Sequence, residues 1–409
     1  MIRRNFMLLG LTAMAACLAG CGTVGDTGLT SRNEHIPIAR PNPNGGHLVI
    51  VGGGLKKDNL AIHERFVGLC ADGPIGIIPI ASGDGLAAGT SSAKDWREFA
   101  GKRKVVVIPL TKESHTANDA EVARQIAECG GLWFTGGDQS RVTPILKPDG
   151  EQTECLKACF AVLARGGVIG GTSAGAAIMP DPMITGGQSP GRRNRDPDEA
   201  ASPVRIGPGL GFLTVGLTDQ HFLERGRMGR LITALNERNI PIGFGIRENC
   251  ALVVDRERNT AEAMGDRAVC VLAPMRDLLS EHSEPACTSS LSVLSTGDTV
   301  ALENGEFKPW WIRPAESLAR PSTWPGPKSS RESAARRVSD VWNMSDIENA
   351  LDRFASDPAR ITLQSDTARL EFSGLASSRT YIDPAGRRPP CLINVKLEMT
   401  AAPANRQRQ

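Results

Sequence analysis

A serine flanked by small residues is the first feature of this 409-residue sequence that could carry out chemistry. Residues 171–175, Gly-Thr-Ser-Ala-Gly, fit the G-x-S-x-G pattern of a nucleophile elbow, in which a strand ends in a sharp turn and a helix follows. Small neighbours let the backbone adopt such a turn without clashes between Cβ atoms. The pattern predicts Ser173 as a nucleophile; the alternative is a glycine-rich turn that only packs a helix onto a sheet.

A nucleophilic serine needs a general base, and His221 is the best candidate among the six histidines. It follows an apolar run at 213–217 that predicts a strand, whereas His35 and His282 fall in a predicted tether and a predicted linker. A lone histidine at a strand end is often a hydrogen-bonded structural residue. The serine upstream, in the order Ser then His, favours catalysis over that alternative.

Backbone N–H groups that could hold an oxyanion flank the serine and follow a neighbouring strand. Residues 135–139, Thr-Gly-Gly-Asp-Gln, come after the apolar pair Trp133 and Phe134, and their glycines can present N–H groups. The predicted helix after the serine begins at Ala174, and the N-terminus of a helix carries the positive end of its dipole. We therefore predict an oxyanion site near Gly137 and Ala174.

Three arginines follow the histidine within a short segment: Arg225, Arg227 and Arg230. One interpretation is a basic helix whose side chains are solvated. The other is a clamp for carboxylates, because a guanidinium binds a carboxylate through two parallel hydrogen bonds.

Apolar strands alternate with helices in the first half of the chain. The predicted strands and helices are 47–51, 59–70, 75–80, 91–99, 105–110, 119–129, 131–134 and 155–164. Continuously apolar strands separated by helices are typical of an α/β fold with a parallel sheet covered on both faces. The active sites of such sheets lie at the carboxyl ends of the strands, where Gly52, Gly136 and Ser173 all fall.

The overall charge and the cysteines exclude some classes of partner. The 47 Lys and Arg residues nearly balance the 45 Asp and Glu residues, and a net charge of +2 gives no reason to expect nucleic acid. The ten cysteines show no paired C-x-x-C spacing, and Cys155 and Cys159 have no histidine nearby in the sequence to complete a zinc site. We therefore expect no metal and no cofactor.

The N-terminus predicts export and a lipid anchor. A basic start precedes an apolar stretch at 6–16 that is too short to span a bilayer. Residues 18–21, Leu-Ala-Gly-Cys, resemble a bacterial lipobox, which implies a signal peptide over 1–20, cleavage before Cys21 and a diacylglycerol on its sulfur. Gly22, in place of aspartate, indicates the outer membrane. A plain secretory signal is the alternative.

Four segments, most of them described above, together resemble the cyanophycinases, which belong to the serine peptidase family that also contains peptidase E. They are 134–139 (Phe-Thr-Gly-Gly-Asp-Gln), 170–177 (Gly-Gly-Thr-Ser-Ala-Gly-Ala-Ala), 219–230 and 245–252, and they occur in the family's order. The resemblance implies a fold similar to that of the class I glutamine amidotransferases, with three αβα layers and a mostly parallel sheet.

The resemblance also implies roles for single residues, with Ser173 as nucleophile and His221 as base. The positions that match the family's substrate pocket are Gln139, Asp219, Gln220, Arg225, Arg227 and Arg230. The third member of the triad stays open, and its candidates, in order of preference, are Glu248, Asp181 and Glu199. Arg247 and Cys250 depart from the family pattern, which has aspartate and threonine there.

Beyond about residue 275 the resemblance ends. The predicted regions are a signal peptide at 1–20, a tether at 21–45, a peptidase domain at 46–275, an irregular linker at 276–330 and an accessory region of unknown role at 331–409.

The resemblance implies an exported serine-type exopeptidase that hydrolyses cyanophycin, a polyaspartate carrying arginine on its side chains, to β-Asp-Arg, or that cleaves a related isoaspartyl peptide. One alternative is an amidase or amidotransferase-like hydrolase of another small acyl substrate. A second is a periplasmic binding protein without turnover. We expect a peptide substrate, a lipid anchor in the membrane and no nucleic acid. The sequence leaves open whether the protein forms a homodimer.

Overall fold

The computed structural model describes residues 45–114, 116–192, 203–275, 286–303, 307–315, 335–356, 360–375, 378–381 and 391–401. The predictions for the signal peptide, for Cys21, for nearly all of the tether and for Glu199 lie outside these residues. None of the helices among the described residues is both long enough and apolar enough to cross a lipid bilayer.

Strands and helices alternate in the first half of the chain, as predicted. The elements are β1 (His47–Val51), α1 (Leu60–Gly68), β2 (Ile75–Ile78), α2 (Gly85–Phe99), β3 (Val105–Val107), α3 (Ala120–Ala127), β4 (Gly131–Phe134), α4 (Thr143–Leu146), α5 (Glu154–Ala164), β5 (Val168–Thr172) and α6 (Ala174–Ala177). Two 3-10 turns, Gln139–Arg141 and Pro148–Gly150, flank α4. The strands are parallel neighbours in the order β1-β5-β4-β2-β3.

The second half of the chain is richer in strands. Its elements are β6 (Met183–Gly186), β7 (Arg205–Gly207), β8 (Leu217–Asp219), α7 (Met228–Glu237), β9 (Gly243–Ile246), β10 (Ala251–Asp255), β11 (Thr260–Met264), β12 (Val269–Pro274), β13 (Ala286–Leu294), β14 (Thr299–Ala301), β15 (Ile312–Arg313), β16 (Arg336–Arg337), α8 (Met344–Ser356), β17 (Ile361–Gln364), β18 (Ala368–Ser373), β19 (Arg379–Tyr381) and β20 (Cys391–Ala401). A 3-10 turn, Pro309–Trp311, precedes β15.

These strands make both large sheets mixed, which corrects the prediction of a mostly parallel sheet. In the first sheet, β10, β11, β14 and β15 extend β1 in antiparallel steps. The second sheet has the order β16-β17-β18-β20-β13-β12-β9-β8, with β19 paired to β20. The reason is the length of the connections. Residues 256–259 alone join β10 to β11, and so short a connection allows only antiparallel pairing, because a parallel pair needs a long crossover.

Helices cover both faces of the parallel strands. On one face, Phe66 of α1 and Trp96 of α2 pack with Trp133 of β4, and the two indole rings lie 4.6 Å apart. On the other face, Ile126 of α3 and Leu156 of α5 are fully buried. The second sheet shares this core on one side, and its other side packs against α7 and α8.

The starts of two predicted elements differ from the structure by four residues or more. The helix predicted from residue 91 begins earlier, at Gly85, because the Asp84 carboxylate accepts the N–H of Ala87 and caps the helix. The strand predicted at 213–217 is wrong, since β8 begins only at Leu217. Gly216, with a φ of +80°, turns the backbone immediately before it.

The residues after 275 are continuous with the second sheet. β13, which lies within the range predicted as an irregular linker, pairs antiparallel with β12 over six register pairs. β20 pairs in turn with β13, and β18 with β20. The C-terminal strands therefore extend the sheet that also contains β8 and β9.

Candidate active site

Ser173 lies at the carboxyl edge of the parallel strands, directly after β5. The register pairs Val51 with Thr172 and Phe134 with Gly171, so β1, β4 and β5 end at about the same level. The Ser173 N–H donates to the carbonyl of Val51 at 3.1 Å, and α6 begins at the next residue. Its φ of 56° and ψ of −111° are uncommon for a residue with a side chain. The sharp strand-turn-helix geometry predicted for residues 171–175 is therefore present.

The two glycines of the elbow are required by close backbone contacts. A Cβ atom on Gly171 would lie 2.5 Å from the carbonyl oxygen of Gly175, and one on Gly175 would lie 2.4 Å from that of Phe134. Both distances are shorter than any normal non-bonded contact. Larger residues at these positions would push the elbow away from β4 and change the direction of the serine.

His221 lies two residues after β8 and faces the serine. Its Nε2 is 2.7 Å from the Oγ of Ser173. Its backbone N–H donates to the carbonyl of Gly52 at 2.6 Å, which ties the end of β8 to the end of β1. A Cβ atom on Gly53 would lie 2.2 Å from the Cε1 of the ring, so only a glycine at this position leaves room for the imidazole.

Glu248, the preferred third candidate, lies in the turn between β9 and β10 and approaches the other side of the ring. Its Oε1 is 2.6 Å from the Nδ1 of His221. Asp181 instead pairs with Lys147 at 2.5 Å and accepts the N–H of Gly209. The structure thus brings Ser173, His221 and Glu248 together and places Asp181 in a different network.

The protonation of His221 suits a base. Burial is the main cause that lowers its pKa from the ordinary 6.5; the hydrogen bond to Glu248 opposes this effect, and the charges of Arg225 and Arg227 add to it. The ring is therefore neutral near pH 7. Because Nδ1 faces a carboxylate, the proton of the neutral ring lies on Nδ1, and Nε2 can accept the proton of the Ser173 hydroxyl.

A cavity of about 340 Å³ opens beside the serine. Gly137, Gln139 and Gln220 contribute to its polar lining, and the described residues around it include no acidic side chain. The lining also contains five arginines: Arg192, Arg205, Arg225, Arg227 and Arg230. Such a positively charged cavity favours a ligand that carries an anionic group.

Arg230 is held by a buried ion pair with Asp219. The Nε of Arg230 donates to one carboxylate oxygen of Asp219 at 2.7 Å and Nη2 to the other at 2.5 Å. The Asp219 side chain has no exposed surface, and that of Arg230 is 3% exposed. Arg230 Nη1 also donates to the carbonyl of Gly187 at 2.9 Å. Both residues were predicted to bind substrate; the structure shows them bonded to each other, and Arg230 also lines the cavity.

Arg227 and Arg225 differ from Arg230 in their surroundings. Arg227 donates to the carbonyl of Gln220 at 2.7 Å, and burial, with Arg230 next to it, lowers the pKa of Arg227 to about 9. It therefore keeps its charge at neutral pH. Arg225 is exposed, and no described residue forms an ion pair with it. The interpretation of the trio as one solvated helix is wrong, because Arg225 precedes α7, Arg227 caps it and only Arg230 lies within it.

The side chains of the two glutamines predicted to bind substrate differ in their hydrogen bonding. Gln139 donates from its amide to the carbonyls of Ile184 and Thr185 at 3.1 and 3.2 Å, and so holds β6 next to the cavity. Gln220 is 3% exposed, and its Oε1 has no hydrogen-bond partner among the described residues. A buried acceptor without a partner is costly, so a donor on a bound ligand would stabilise Gln220.

The predicted oxyanion donors both lie next to the serine. Gly137 lines the cavity with a φ of +142°, and a Cβ atom on it would lie 2.1 Å from the carbonyl oxygen of Ala81. Ala174 is the first residue of α6, where the N–H groups have no acceptor within the helix. Gly137 thus lies in the same cavity lining as Ser173, and Ala174 begins the helix that follows it.

Sequence reasoning missed several residues that shape the site. Glu224 accepts the backbone N–H of Glu248 at 3.3 Å. Its position three residues after the histidine did not indicate this role in the sequence. Arg192 and Arg205 also line the cavity, and the sequence did not single out either of them. Among the described residues, no group of three or more His, Cys, Asp and Glu side chains could hold a metal ion.

Comparison with known proteins identifies relatives of this chain. Residues 48–261 match the family described as Peptidase family S51. The cyanophycinase of Trichormus variabilis is 32% identical over 235 residues, which cover 55% of this chain and 74% of that protein. The cyanophycinase of Synechococcus elongatus is 30% identical over 251 residues, or 59% of this chain and 74% of that protein.

Among solved structures, a peptidase from an acI-B1 Actinobacterium is similar with a TM-score of 0.45 and 17% identity, over 64% of this chain and 98% of that one. This structural similarity is low. The sequence matches are what relate the chain to these enzymes.

Proposed function

Because this chain belongs to peptidase family S51 and is a serine-type peptidase, we propose that it hydrolyses cyanophycin to β-Asp-Arg dipeptides, or cleaves a related isoaspartyl peptide. The main support for the proposal is a chain of two hydrogen bonds. One joins Ser173 to His221, and the other joins His221 to Glu248. A nucleophile, a base and an orienting carboxylate in contact are the groups that acyl transfer requires.

In the proposed reaction, His221 Nε2 takes the proton of the Ser173 hydroxyl while Oγ attacks the scissile carbonyl carbon. Glu248 stabilises the resulting imidazolium, and the N–H groups of Gly137 and Ala174 bind the oxyanion. The imidazolium then gives its proton to the leaving amine, and an acyl-enzyme remains on Ser173. Water, deprotonated by His221, attacks the acyl carbon, and the products are a carboxylic acid and the free enzyme.

The charge of the cavity supports a substrate with free carboxylates. In the β-Asp-Arg unit, the arginine keeps its α-carboxylate, and the Arg225 guanidinium, which lines the cavity, would bind such a group through two hydrogen bonds. Gln220 Oε1, which is buried and has no partner in the described part of the chain, would accept a substrate N–H. Cleavage at the end of the chain, as an exopeptidase, fits a cavity of about 340 Å³.

The relation of the fold to the class I glutamine amidotransferases is also a proposal. It is supported by five parallel strands that carry the nucleophile in a sharp turn at their carboxyl edge.

We further propose that the mature protein is exported and held at the outer membrane by a lipid on Cys21. The support is the lipobox-like sequence alone. The Cys21→Ala variant should appear in the soluble fraction without acylation by mass spectrometry. A variant that stays acylated and sediments with membranes would contradict the anchor.

The most direct test supplies insoluble cyanophycin to the purified protein and measures β-Asp-Arg release. The Ser173→Ala variant should lose activity by a factor on the order of 10⁶, with unchanged folding. Retention of more than a few per cent of activity in the variant would overturn the nucleophile assignment. If the native protein reacts with a fluorophosphonate but releases no dipeptide, the substrate is another small acyl compound; if it does neither, the protein is a binding protein without turnover.

A further inference from the structure

Helix α8 of the C-terminal region reaches the turn that carries Glu248. The Nη1 of Arg247 donates to Oε1 of Glu348 on α8 at 2.7 Å, and Arg247 also lies against the sulfur of Met344 at 3.4 Å. The same glutamate lies 3.7 Å from Arg267, at the turn before β12. Arg247 is therefore bound to a helix that begins almost a hundred residues later in the chain.

The other side of the Arg247 guanidinium is bound to the segment that carries the histidine. Its Nε donates to Oε1 of Glu224 at 2.9 Å, and Oε2 of Glu224 accepts the backbone N–H of Glu248 at 3.3 Å. Glu224 thus connects the segment that starts at His221 to the turn with the carboxylate. The planar fork of arginine can hold Glu224 and Glu348 at the same time, and lysine cannot.

These ion pairs are shielded from solvent. The side chains of Arg247, Glu224 and Glu348 are 17%, 19% and 24% exposed. Charge pairs at this level of burial are screened less by salt than surface pairs, so they can hold a turn in place. The opposite side of the turn is held independently, because the N–H of Asn249 donates to the carbonyl of Gly53 at 2.7 Å.

The position of α8 is itself fixed by packing. Ile347 and Leu351 are buried in the core between α8 and the second sheet. That sheet connects the helix to the catalytic turn through neighbouring strands in the order β17-β18-β20-β13-β12-β9. The Glu248 turn begins where β9 ends. The helix can therefore act as a rigid support for Arg247.

We propose that Arg247, held by Glu348, is a positioning residue that sets the direction of the Glu248 carboxylate toward His221, so that the C-terminal region completes the catalytic centre. This rests on the proposed role of Ser173, His221 and Glu248. It gives a function to a position where the chain departs from its family, and to a region whose role the sequence left open.

The test measures the rate at which a fluorophosphonate labels Ser173, because this rate does not depend on the identity of the substrate. Glu348→Gln removes the charge that holds Arg247 and keeps the shape of the side chain. Asp352→Asn is the matched control: Asp352 lies one turn later on α8 and pairs with Arg267 but not with Arg247. Melting temperatures of both variants report whether the fold is kept.

Labelling is followed as a function of pH, since a role in positioning should change the titration of His221. The groups that face the ring are Glu248, Arg225, Arg227 and the Ser173 hydroxyl. Glu248 raises the pKa of His221, so a carboxylate that turns away moves the acid limb of the profile to lower pH.

We expect Glu348→Gln to label about tenfold more slowly on the plateau, below the roughly 10²-fold cost of a 1 Å misplacement, with its acid limb at lower pH. Asp352→Asn should stay within about twofold of the native rate, without a shift. Arg247→Lys should fall between the native protein and Glu348→Gln.

Equal rates for Glu348→Gln and the control would overturn the proposal, and so would a slower rate with an unshifted acid limb, which indicates general loosening of the fold. If the native protein does not label, the proposed function itself fails, and this outcome is distinct from the other two.

Discussion

Arg230→Ala removes one half of a buried ion pair, and its effect on stability follows from the structure. The substitution leaves the Asp219 carboxylate without exposed surface and with Arg227, at 3.8 Å, as its nearest described cation. Removing one partner of a buried pair typically costs about 3–5 kcal/mol, because the remaining charge is poorly solvated and loses its hydrogen-bonded partner. We therefore expect the free energy of unfolding to fall by about this amount.

The expected change in melting temperature can be derived from the number of residues that the structure describes. The structure describes about 300 residues, for which the entropy of unfolding is about 0.6 kcal/mol/K. A loss of about 3–5 kcal/mol then lowers the melting temperature by about 5–8 °C. Differential scanning calorimetry measures this directly, and urea unfolding at fixed temperature provides the second reading.

Arg225→Ala is the matched control from the same segment, because the Arg225 side chain is exposed and lines the cavity. Its melting temperature should stay unchanged. Its kcat/KM should fall by about tenfold to a hundredfold, since a hydrogen bond to a charged group contributes about 1.5–3 kcal/mol. A double variant, Asp219→Leu with Arg230→Met, removes both buried charges and should regain part of the stability that Arg230→Ala loses.

The reasoning is refuted if Arg230→Ala melts within about 1 °C of the native protein and yet loses activity. In that case Arg230 would bind the substrate, as the sequence predicted, and the ion pair with Asp219 would contribute little to the fold.

Two further predictions concern the environment of His221. Because burial lowers its pKa, the acid limb of kcat/KM should have its midpoint below pH 6.5; Glu248→Gln should move it to lower pH and Arg225→Gln to higher pH, since the first group raises the pKa and the second lowers it. Shifts of equal sign in a pH-rate series would contradict this assignment. Gly53→Ala should reduce kcat on the order of 10²-fold, because the new Cβ would lie 2.2 Å from the ring and displace it. Gly101→Ala, also at a positive φ but with no atom of a described residue within 4 Å of the new Cβ, controls for backbone strain and should keep full activity.

The elbow and its position could be predicted from the sequence because they depend on local constraints. Gly171 and Gly175 mark places where the backbone approaches another carbonyl, and apolar strands joined by helices fix where the turn lies in the sheet. The start of α2 was missed, although Asp84 is a usual cap, because the first turn of the helix contains glycine and little apolar periodicity.

Which acid faces His221 could not be decided from the sequence. Glu248 and Asp181 both lie in turns. The number of residues that separates each of them from His221 does not show which side chain points toward the imidazole ring. Only the pairing of β8 with β9 brings the Glu248 turn to the ring, while Lys147 holds Asp181 elsewhere.

The sequence by itself determined the nucleophile turn, the alternation of strands and helices, and the family, because each depends on residue types at short fixed spacings. The tertiary structure alone decided that Arg230 is bound to Asp219 while Arg225 stays open to the cavity, and that α8 contacts Arg247. The physical reason is burial. Whether a charged side chain binds a ligand or another residue depends on which groups share its desolvated surroundings, and those groups come from segments far apart in the chain.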